Sequence, residues 1–389
     1  NNNIFEENNL LKPQPVSFQV WMNSSNNNTF SKNNLTSEVA TVYSVYLLNS
    51  TNNTIISNNI INTKGILAIY AGISPRNNIS ENNITLGAGL IGIWFDSSHY
   101  NYVYGNEVSG GSDGFQIVGS DLGTFLKNYV HGMSNAGFYL FSSDRNNISE
   151  NKAYDCGVDG FFLDSVSENN TISGNSAYNN SENGFRVSGS TRNTFQGNLA
   201  FNNSQYGIRI DKGCDYHNLS DNAAYNNSFY GFLVSSDYNN LVNNSAYENT
   251  QYGFYLSGAS VFNNVTNNSA YNNSDTGFYL VGFHHGLFSG NRVYGNTFNG
   301  FHLVNSENHT FSGSVAFANG EYGVYLASSA VRNVFTNTLI YNQTHYLFQQ
   351  PTAATNNNFT NLTTGYNSSI GLISFGFMGV NDLYLNYSN

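Results

Sequence analysis

The stretch NNTISGNSAYNNSENGFRVSGS, residues 169–190, is one unit of a repeat that runs through most of the chain. Apolar residues alternate with polar ones over three to five positions within it, which is the periodicity of a β-strand. Asn and Gly separate these segments, as expected for turns whose residues adopt a positive φ. Three short strands and three turns therefore fit into one repeat.

Three positions of the repeat keep the same spacing along the chain. The first is a Gly that opens each GFxL-like segment, and it recurs at steps of 22–24 residues: Gly92, Gly114, Gly137, Gly160, Gly184, Gly207, Gly231, Gly253, Gly277, Gly300 and Gly323. The second is an Asn: Asn106, Asn128, Asn151, Asn175, Asn198, Asn222, Asn244, Asn268 and Asn291. The third is an aromatic residue three places after the Asn. Composition alone does not produce three positions in phase.

The repeat predicts an all-β fold, a single right-handed parallel β-helix of about 14–15 coils with 22–24 residues per coil. A leucine-rich repeat has a similar period, but its L-x-x-L-x-L pattern is missing. We predict regular coils over 65–345 and irregular coils over 1–64 and 346–389, all in one continuous solenoid.

Stacking of coils places equivalent residues directly above one another, at about 4.8 Å. The nine asparagines above are therefore predicted to form an inward ladder of side-chain hydrogen bonds. The phase extends this ladder back through Asn83, Asn59 and Asn34. Phe and Leu of each GFxL-like segment are predicted to fill the core, whereas the residue between them, such as Tyr139, Tyr255 or Tyr279, is predicted to face outward.

The repeat quoted above resembles those of the NosD-like parallel β-helix family, which includes periplasmic proteins and many surface proteins of archaea and bacteria. The resemblance covers roughly residues 17–350. It implies the fold rather than an activity, because the matching residues are those that build the coils.

Composition excludes several classes of protein. Only 10% of the residues are charged, with 13 Lys and Arg against 24 Asp and Glu, so a nucleic-acid partner is not expected. No apolar run is long enough for a membrane span. Cys156 and Cys214 fall on different turns two coils apart, and we predict that both are free thiols.

The chain contains 23 N-x-S/T glycosylation acceptors. This excess predicts an extracellular or cell-surface glycoprotein, although turn chemistry alone also favours Asn-Asn-Ser. The candidate glycosylation sites are Asn179, Asn202, Asn226, Asn272, Asn147, Asn169, Asn243, Asn308, Asn342 and Asn361. Acceptors inside the ladder, such as Asn34 and Asn83, should stay bare. A chain that begins Asn-Asn-Asn without Met is typical of a processed product.

Catalytic clusters of β-helix enzymes are not recognisable in the sequence. Asp113, Asp159 and Asp164 fall on one sheet without a paired base. A group around Asp211, Asp215, His217 and Asp221 is interpreted as solvated turn residues. His284 and His285 are adjacent and would point to opposite faces of a strand. We therefore predict no catalytic site, no metal site and no cofactor, and leave a divalent cation at the surface open.

These patterns favour a secreted structural glycoprotein, a subunit of a surface layer, sheath or fibre, without enzymatic activity. Neither end carries an evident cap, so the chain is predicted to bind copies of itself through its coil edges, with cell-surface glycans as further partners. The alternative is a carbohydrate-binding protein, or a polysaccharide lyase or hydrolase, that uses exposed Tyr rows to stack on sugars.

Overall fold

The computed structural model describes residues 2–12, 18–38, 40, 43–258, 260–344, 348–350, 356–364, 373–375 and 382–386. The chain divides into two compact units, Asn1–Thr194 and Phe195–Asn389. Each unit is built from coils of three strands, and each strand pairs in parallel with the equivalent strand one coil later, as Ala153 does with Ala177. We call the three resulting sheets sheet 1, sheet 2 and sheet 3 in the order of their strands within a coil.

The first unit has eight described strands in each sheet. Sheet 1 contains Ile4–Glu6, Thr29–Ser31, Thr54–Ile56, Asn78–Ser80, Tyr102–Tyr104, Thr124–Leu126, Asn147–Ser149 and Thr171–Ser173. Sheet 2 contains Asn9–Lys12, Asn34–Ser37, Asn59–Asn62, Asn83–Leu86, Glu107–Ser109, Tyr129–His131, Lys152–Tyr154 and Ser176–Tyr178. Sheet 3 contains Phe18–Asn23, Tyr43–Leu48, Leu67–Gly72, Ile91–Asp96, Asp113–Val118, Phe138–Phe141, Phe161–Asp164 and Phe185–Ser188.

The second unit repeats this order. Sheet 1 contains Thr194–Gln196, which begins at the last residue of the first unit, then Asn218–Ser220, Asn240–Val242, Asn264–Thr266, Leu287–Ser289, Thr310–Ser312 and Val334–Thr336. Sheet 2 contains Leu199–Phe201, Ala223–Tyr225, Ser245–Tyr247, Ser269–Tyr271, Arg292–Tyr294, Val315–Phe317 and Leu339–Tyr341. Sheet 3 contains Ile208–Ile210, Phe232–Val234, Phe254–Ser257, Phe278–Val281, Phe301–Val304, Val324–Ala327, Phe348–Gln350 and Ile373–Phe375.

The last described coils of the second unit are less regular. Strand Asn358–Thr364 pairs with both Val334–Thr336 and Leu339–Tyr341, so it joins sheets 1 and 2. Asp382–Asn386 pairs with it in turn, with a shift in register between Phe359 and Leu362.

The core of each unit consists of columns of identical or similar side chains. In the four-residue strands of sheet 3 the first and third residues point inward, and Phe254 and Leu256 are fully buried. Successive phenylalanine rings stack, as Phe254 does on Phe278 with ring centroids 4.5 Å apart. Large apolar rings stacked at coil spacing remove much apolar surface from water, which is the main favourable term in folding.

The repeated Gly is required because the coils approach closely at that position. A Cβ on Gly253 would lie 2.7 Å from the carbonyl oxygen of Gly277 and 3.0 Å from Cβ of Ala270. The Ala of sheet 2 is therefore small for the same reason, since it faces this Gly across the interior. The sequence pattern of Gly and Ala is one packing feature.

The predicted fold is confirmed: every described strand pair is parallel and none of the described residues forms a helix. None of the described residues belongs to a helix with the length and apolar character of a membrane span. Cys156 and Cys214 are buried free thiols, as predicted.

Candidate functional site

The nine asparagines of the predicted ladder all lie buried at the turn between sheets 1 and 2. In the first unit each side-chain amide donates to the side-chain oxygen of the next at 2.9–3.0 Å, over Asn106, Asn128, Asn151 and Asn175. In the second unit the same contact measures 2.9–3.2 Å over Asn198, Asn222, Asn244, Asn268 and Asn291. These amides also bind backbone groups, so the turns are satisfied by side chains. The ladder stabilises the fold, and its side chains are not exposed to solvent.

The predicted continuation of the ladder through Asn83, Asn59 and Asn34 is wrong by one residue. Asn82 donates at 2.9 Å to Oδ1 of Asn106, and Asn58 and Asn33 continue the column. Asn34 and Asn83 are exposed instead, so they are not the buried acceptors that the sequence suggested. These coils are 24 or 25 residues long. Each has two adjacent asparagines, so the repeat pattern alone does not show which of the two points inward.

The ten candidate glycosylation sites lie at turns, at a strand start or, for Asn361, inside the irregular strand Asn358–Thr364. Nine of them have φ between 53° and 59°: Asn179, Asn202, Asn226, Asn272, Asn169, Asn243, Asn308, Asn342 and Asn361. Asn147 begins a strand of sheet 1. All except Asn308, which is half-buried, are exposed. Asn tolerates a positive φ better than most residues. The backbone conformation therefore explains why Asn occurs at these nine positions, whether or not glycans are attached.

Two of the three aspartates considered for catalysis are structural. Asp113 accepts hydrogen bonds from Nδ2 of Asn135 at 2.7 Å and from the backbone N–H of Ala136 at 3.1 Å. Asp159 is fully buried and accepts from Nδ2 of Asn183 at 2.6 Å. Burial raises the pKa of Asp159 to about 6, although the bond from Asn183 opposes that shift. Neither carboxylate reaches a surface where a substrate could bind.

The interpretation of His217 as a solvated turn residue is wrong, because its side chain is buried. It occupies an inward position before a sheet 1 strand, where Asn239 stands one coil later, and its backbone N–H donates to Oδ1 of that Asn at 2.8 Å. Asp211 and Asp215 are half-exposed and Asp221 is exposed, as turn residues would be. Nδ1 of His284 lies 3.9 Å from Oε1 of Glu307, and the side chain of His285 is exposed. No group of three His, Cys, Asp or Glu suited to a metal ion occurs within the described residues.

The outward aromatic residues of sheet 2 form closed columns. In the second unit seven rings stack in sequence with interplanar angles of 2–9° and centroids 4.8–5.1 Å apart: Phe201, Tyr225, Tyr247, Tyr271, Tyr294, Phe317 and Tyr341. Tyr154 and Tyr178 stack in the same way in the first unit, at 1°. Because each ring covers the face of the next, a ligand meets only ring edges along these columns.

Sheet 3 of the first unit carries a different aromatic surface. Trp21, Tyr46, Tyr70 and Trp94 are in register on successive coils and point outward, and Tyr43 flanks them. We call these five residues the first platform. Its rings meet at mixed angles, 81° between Tyr43 and Tyr46 and 84° between Tyr70 and Trp94, whereas Tyr46 and Tyr70 stack at 23°, so the rings do not form one closed column. Both tryptophans of the chain lie here, and Trp21 is 60% exposed.

Sheet 3 of the second unit carries the second platform, which we define as Tyr230, Tyr252, Tyr255, Tyr279, His302 and Tyr325. Neighbouring rings on successive coils are inclined by 28–46°, for example by 42° between Tyr252 and Tyr279, whereas Tyr252 and Tyr255 within one coil stack at 15°. Burial raises the pKa of Tyr230 to about 12, so its hydroxyl stays protonated at neutral pH. Burial also lowers the pKa of His302 to about 4, so this ring is uncharged at neutral pH. The platform therefore offers tilted ring faces and uncharged hydrogen-bonding groups.

A polar cluster lies on the same face of the first unit. The hydroxyl of Tyr139 donates to Oδ2 of Asp164 at 3.1 Å, and the guanidinium of Arg186 stacks 4.8 Å above the ring of Phe162. Burial raises the pKa of Tyr139 to about 12, and the Asp164 carboxylate adds to the shift. Tyr139, Phe162 and Arg186 are in register on three successive coils, so donor, acceptor and cation share one small area.

Sequence reasoning placed Tyr139, Tyr255 and Tyr279 on the outer face, and its alternative prediction used exposed Tyr rows to stack on sugars without selecting a sheet. The signal is the residue between the two core positions of each GFxL-like segment, which is aromatic in many coils. The contrast between closed columns on sheet 2 and tilted rings on sheet 3 requires ring orientations, which the sequence does not contain.

Solved structures share this fold at low sequence identity. The periplasmic alginate epimerase AlgG is 15% identical, with 80% of this chain and 78% of that chain covered and a TM-score of 0.53. A single-substitution mutant of the same epimerase is 14% identical over the same shares, with a TM-score of 0.55. The mannuronan C-5 epimerase AlgE4 A-module of Azotobacter vinelandii is 13% identical, covers 93% and 91%, and has a TM-score of 0.41. Identities this low establish similarity of fold alone.

No curated protein matches the sequence. The model of a family described as right handed beta helix region matches residues 76–223 and 213–364, which is more than half of the chain. The resemblance found in the repeats is thereby confirmed, and the chain belongs to the right-handed β-helix family.

Proposed function

We propose that this protein recognises polysaccharide chains on the outer face of sheet 3. The observation that carries the proposal is the contrast between the two aromatic surfaces. Rings on sheet 2 lie parallel and cover one another, whereas most neighbouring rings of the first and second platforms are inclined, so they do not form closed columns. Open aromatic faces beside hydroxyl groups suit a pyranose, which has an apolar C–H face and polar edges.

The sequence-based prediction of a structural subunit for a surface layer, sheath or fibre is wrong. The solved structure of AlgG, which has the same fold over 80% of this chain, is named as a periplasmic alginate epimerase. Such neighbours favour the alternative prediction of a protein that binds or modifies polysaccharide. The prediction that the chain has no enzymatic activity has no support from them. Self-association and binding of cell-surface glycans stay predictions.

The platforms provide a direct test through a matched pair of double variants. Tyr255→Ala with Tyr279→Ala removes two adjacent rings of the second platform, and we expect the affinity for a bound polysaccharide to fall about tenfold or more. Tyr247→Ala with Tyr271→Ala removes two rings from the sheet 2 column in the same coils and should leave that affinity within about twofold. Affinity electrophoresis in gels that contain single polysaccharides measures both.

The first platform supplies an independent readout. Because Trp21 and Trp94 are the two tryptophans of the chain, tryptophan fluorescence reports on this surface alone. A ligand stacked there should shift or quench the emission in a saturable way. If no polysaccharide changes the emission or the mobility of the wild type, and the two double variants behave alike, the proposed function is wrong.

A second candidate function, modification of the bound polysaccharide, is favoured by the pair of Tyr139 and Asp164. A hydroxyl that is hydrogen-bonded to a carboxylate can take part in proton transfer. Arg186 lies on the coil that follows the coil of Asp164. We expect Tyr139→Phe to abolish any change in linkage or sugar configuration detected by NMR, without loss of binding. Tyr102→Phe on sheet 1 is the control. A wild type that alters none of the polymers it binds would remove this candidate.

We further propose that the protein works outside the cytoplasm. The excess of glycosylation acceptors supports this location, and so does the periplasmic location of the structural neighbour AlgG. Glycans on exposed turns such as Asn179 and Asn226 would leave sheet 3 accessible, because those turns follow strands of sheet 2.

A further inference from the structure

We infer that the second platform binds uncharged polysaccharides and discriminates against polyanionic ones. The inference rests on the proposed function and adds the chemical class of the ligand. It comes from the charges around Tyr230, Tyr252, Tyr255, Tyr279, His302 and Tyr325, which differ from what a carboxylated or sulfated polymer requires.

Cations are scarce in this unit, and three of the four lie outside the described sheet 3 strands. Residues 195–389 contain four Lys and Arg against nine Asp and Glu. Arg292 belongs to sheet 2, where it stacks over Tyr294, and Arg332 pairs with Glu307 at a turn. Lys212 is exposed in a turn after sheet 3. None of these three lies on a sheet 3 strand.

Arg209 is the one Lys or Arg in the described sheet 3 strands of this unit, and an acidic partner already binds it. Its Nε donates to Oδ1 of Asp211 at 2.7 Å, which offsets the positive charge. Its guanidinium also stacks 5.6 Å from the ring centroid of Tyr206. A free Arg or Lys with open donors is the group that recognises carboxylates and sulfates in proteins. Arg209 would have to leave Asp211 to serve that purpose.

The remaining titratable groups at the platform are neutral or negative at neutral pH. His302 carries no charge there, because burial lowers its pKa. Asp275 is half-buried beside the platform. Burial raises the pKa of Tyr252, and the nearby Asp275 carboxylate adds to that shift. Glu321 occupies the position equivalent to Asp275 two coils later. The backbone N–H of Phe298 donates to the carbonyl oxygen of Asp275, and the backbone N–H of Glu321 donates to the carbonyl oxygen of Phe298. An anionic polymer would meet two carboxylates and no available cation.

An uncharged polymer has complementary chemistry. The tyrosine hydroxyls can donate to sugar oxygens, whereas the inclined rings can cover the apolar C–H groups. Asp275 can accept hydrogen bonds from sugar hydroxyls without a charge penalty on the ligand. Binding built on stacking and such hydrogen bonds depends weakly on ionic strength.

The test compares uncharged with anionic polymers of similar backbones on the full chain. The uncharged set is β-mannan and hydroxyethylcellulose, and the anionic set is their counterparts polymannuronate and carboxymethylcellulose. Affinity electrophoresis is run with the wild type, with Tyr255→Ala plus Tyr279→Ala, and with Tyr247→Ala plus Tyr271→Ala. We expect at least one uncharged polymer to bind about tenfold more tightly than its anionic counterpart. That affinity should fall in the platform variant alone and change less than about twofold between low and high salt.

The outcomes separate this inference from the proposed function. If an anionic polymer binds more tightly, and the platform variant removes that binding, the platform is a polysaccharide site but the inferred ligand class is wrong. If the platform variant binds every polymer as the wild type does, or if no polymer binds, the proposed function itself fails for this surface.

Discussion

Asn222→Leu is expected to lower the free energy of unfolding by about 3–5 kcal/mol, because it removes one step of a buried hydrogen-bonded column. The side-chain amide of Asn222 donates to the backbone carbonyl of Phe195 at 2.9 Å and to Oδ1 of Asn244 at 2.9 Å. Its Oδ1 accepts from the backbone N–H and the side-chain amide of Asn198. Leu has a similar size but leaves these buried groups without partners, and each costs about 1–3 kcal/mol.

Chemical denaturation of the full chain measures the loss. Asn218→Leu is the matched control, since this Asn lies in the same coil but is exposed on sheet 1. The control should change the free energy of unfolding by no more than about 0.5 kcal/mol. Equal losses in the two variants, or no loss in Asn222→Leu, would show that the inward asparagines contribute little to stability.

His309→Asn is expected to remove much of the acid sensitivity of the second unit. His309 occupies an inward position that Asn333 holds one coil later, and its Nδ1 accepts from the backbone N–H of Gly286 at 3.0 Å. Burial lowers its pKa to about 3. Protonation would place a charge between Phe283 and Phe288 and end the acceptance at Nδ1.

The pH window follows from the depressed pKa. Above the ordinary value of 6.5, His309 is neutral in both the folded and unfolded chain, and its stabilising contribution is complete. As the pH falls from 6.5 toward 3, the unfolded chain binds the proton first, so stability falls by up to about 5 kcal/mol. Asn titrates nowhere in this range, and its Oδ1 can accept the same hydrogen bond.

Unfolding free energies measured from pH 7 to pH 4 test this expectation. His309→Asn should have a flatter dependence on pH than the wild type, even if the smaller side chain costs about 1–2 kcal/mol at pH 7. His285→Asn is the control, because His285 is exposed one residue before Gly286 and has a φ of 54° that suits Asn. A wild-type slope that persists in His309→Asn would show that other groups cause the acid sensitivity.

The sequence predicted the features that depend on identical residues in register. Phe254 and Leu256 are in the core, and the repeated Gly and Ala meet where the coils approach. The repeat could not resolve Asn82 from Asn83, because an Asn-Asn pair fits either phase. The repeat also could not identify His217 and His309 as inward residues, because the equivalent position in the next coil is an Asn. The structure shows that the backbone N–H of each His donates to Oδ1 of that Asn.

The candidate site was predicted only as far as the direction of its side chains. The sequence predicts that Tyr255 and Tyr271 both point outward. Tyr255 belongs to the second platform, where rings are inclined, whereas Tyr271 belongs to the closed column of sheet 2. That difference arises from the local twist and the neighbouring rings. Alternation along a strand specifies which face a residue occupies, but it does not specify ring tilt.

Hydroxyl-radical footprinting of the wild type with and without a bound polysaccharide tests the central claim most directly. The method compares the oxidation of individual tyrosines, and each unit contains both surfaces. We predict that the polysaccharide protects Tyr255 and Tyr279 of the second platform while Tyr247 and Tyr271 of the sheet 2 column keep their rate of oxidation. Protection of the sheet 2 column with no change on sheet 3 would contradict the claim that the outer face of sheet 3 is the polysaccharide-binding surface.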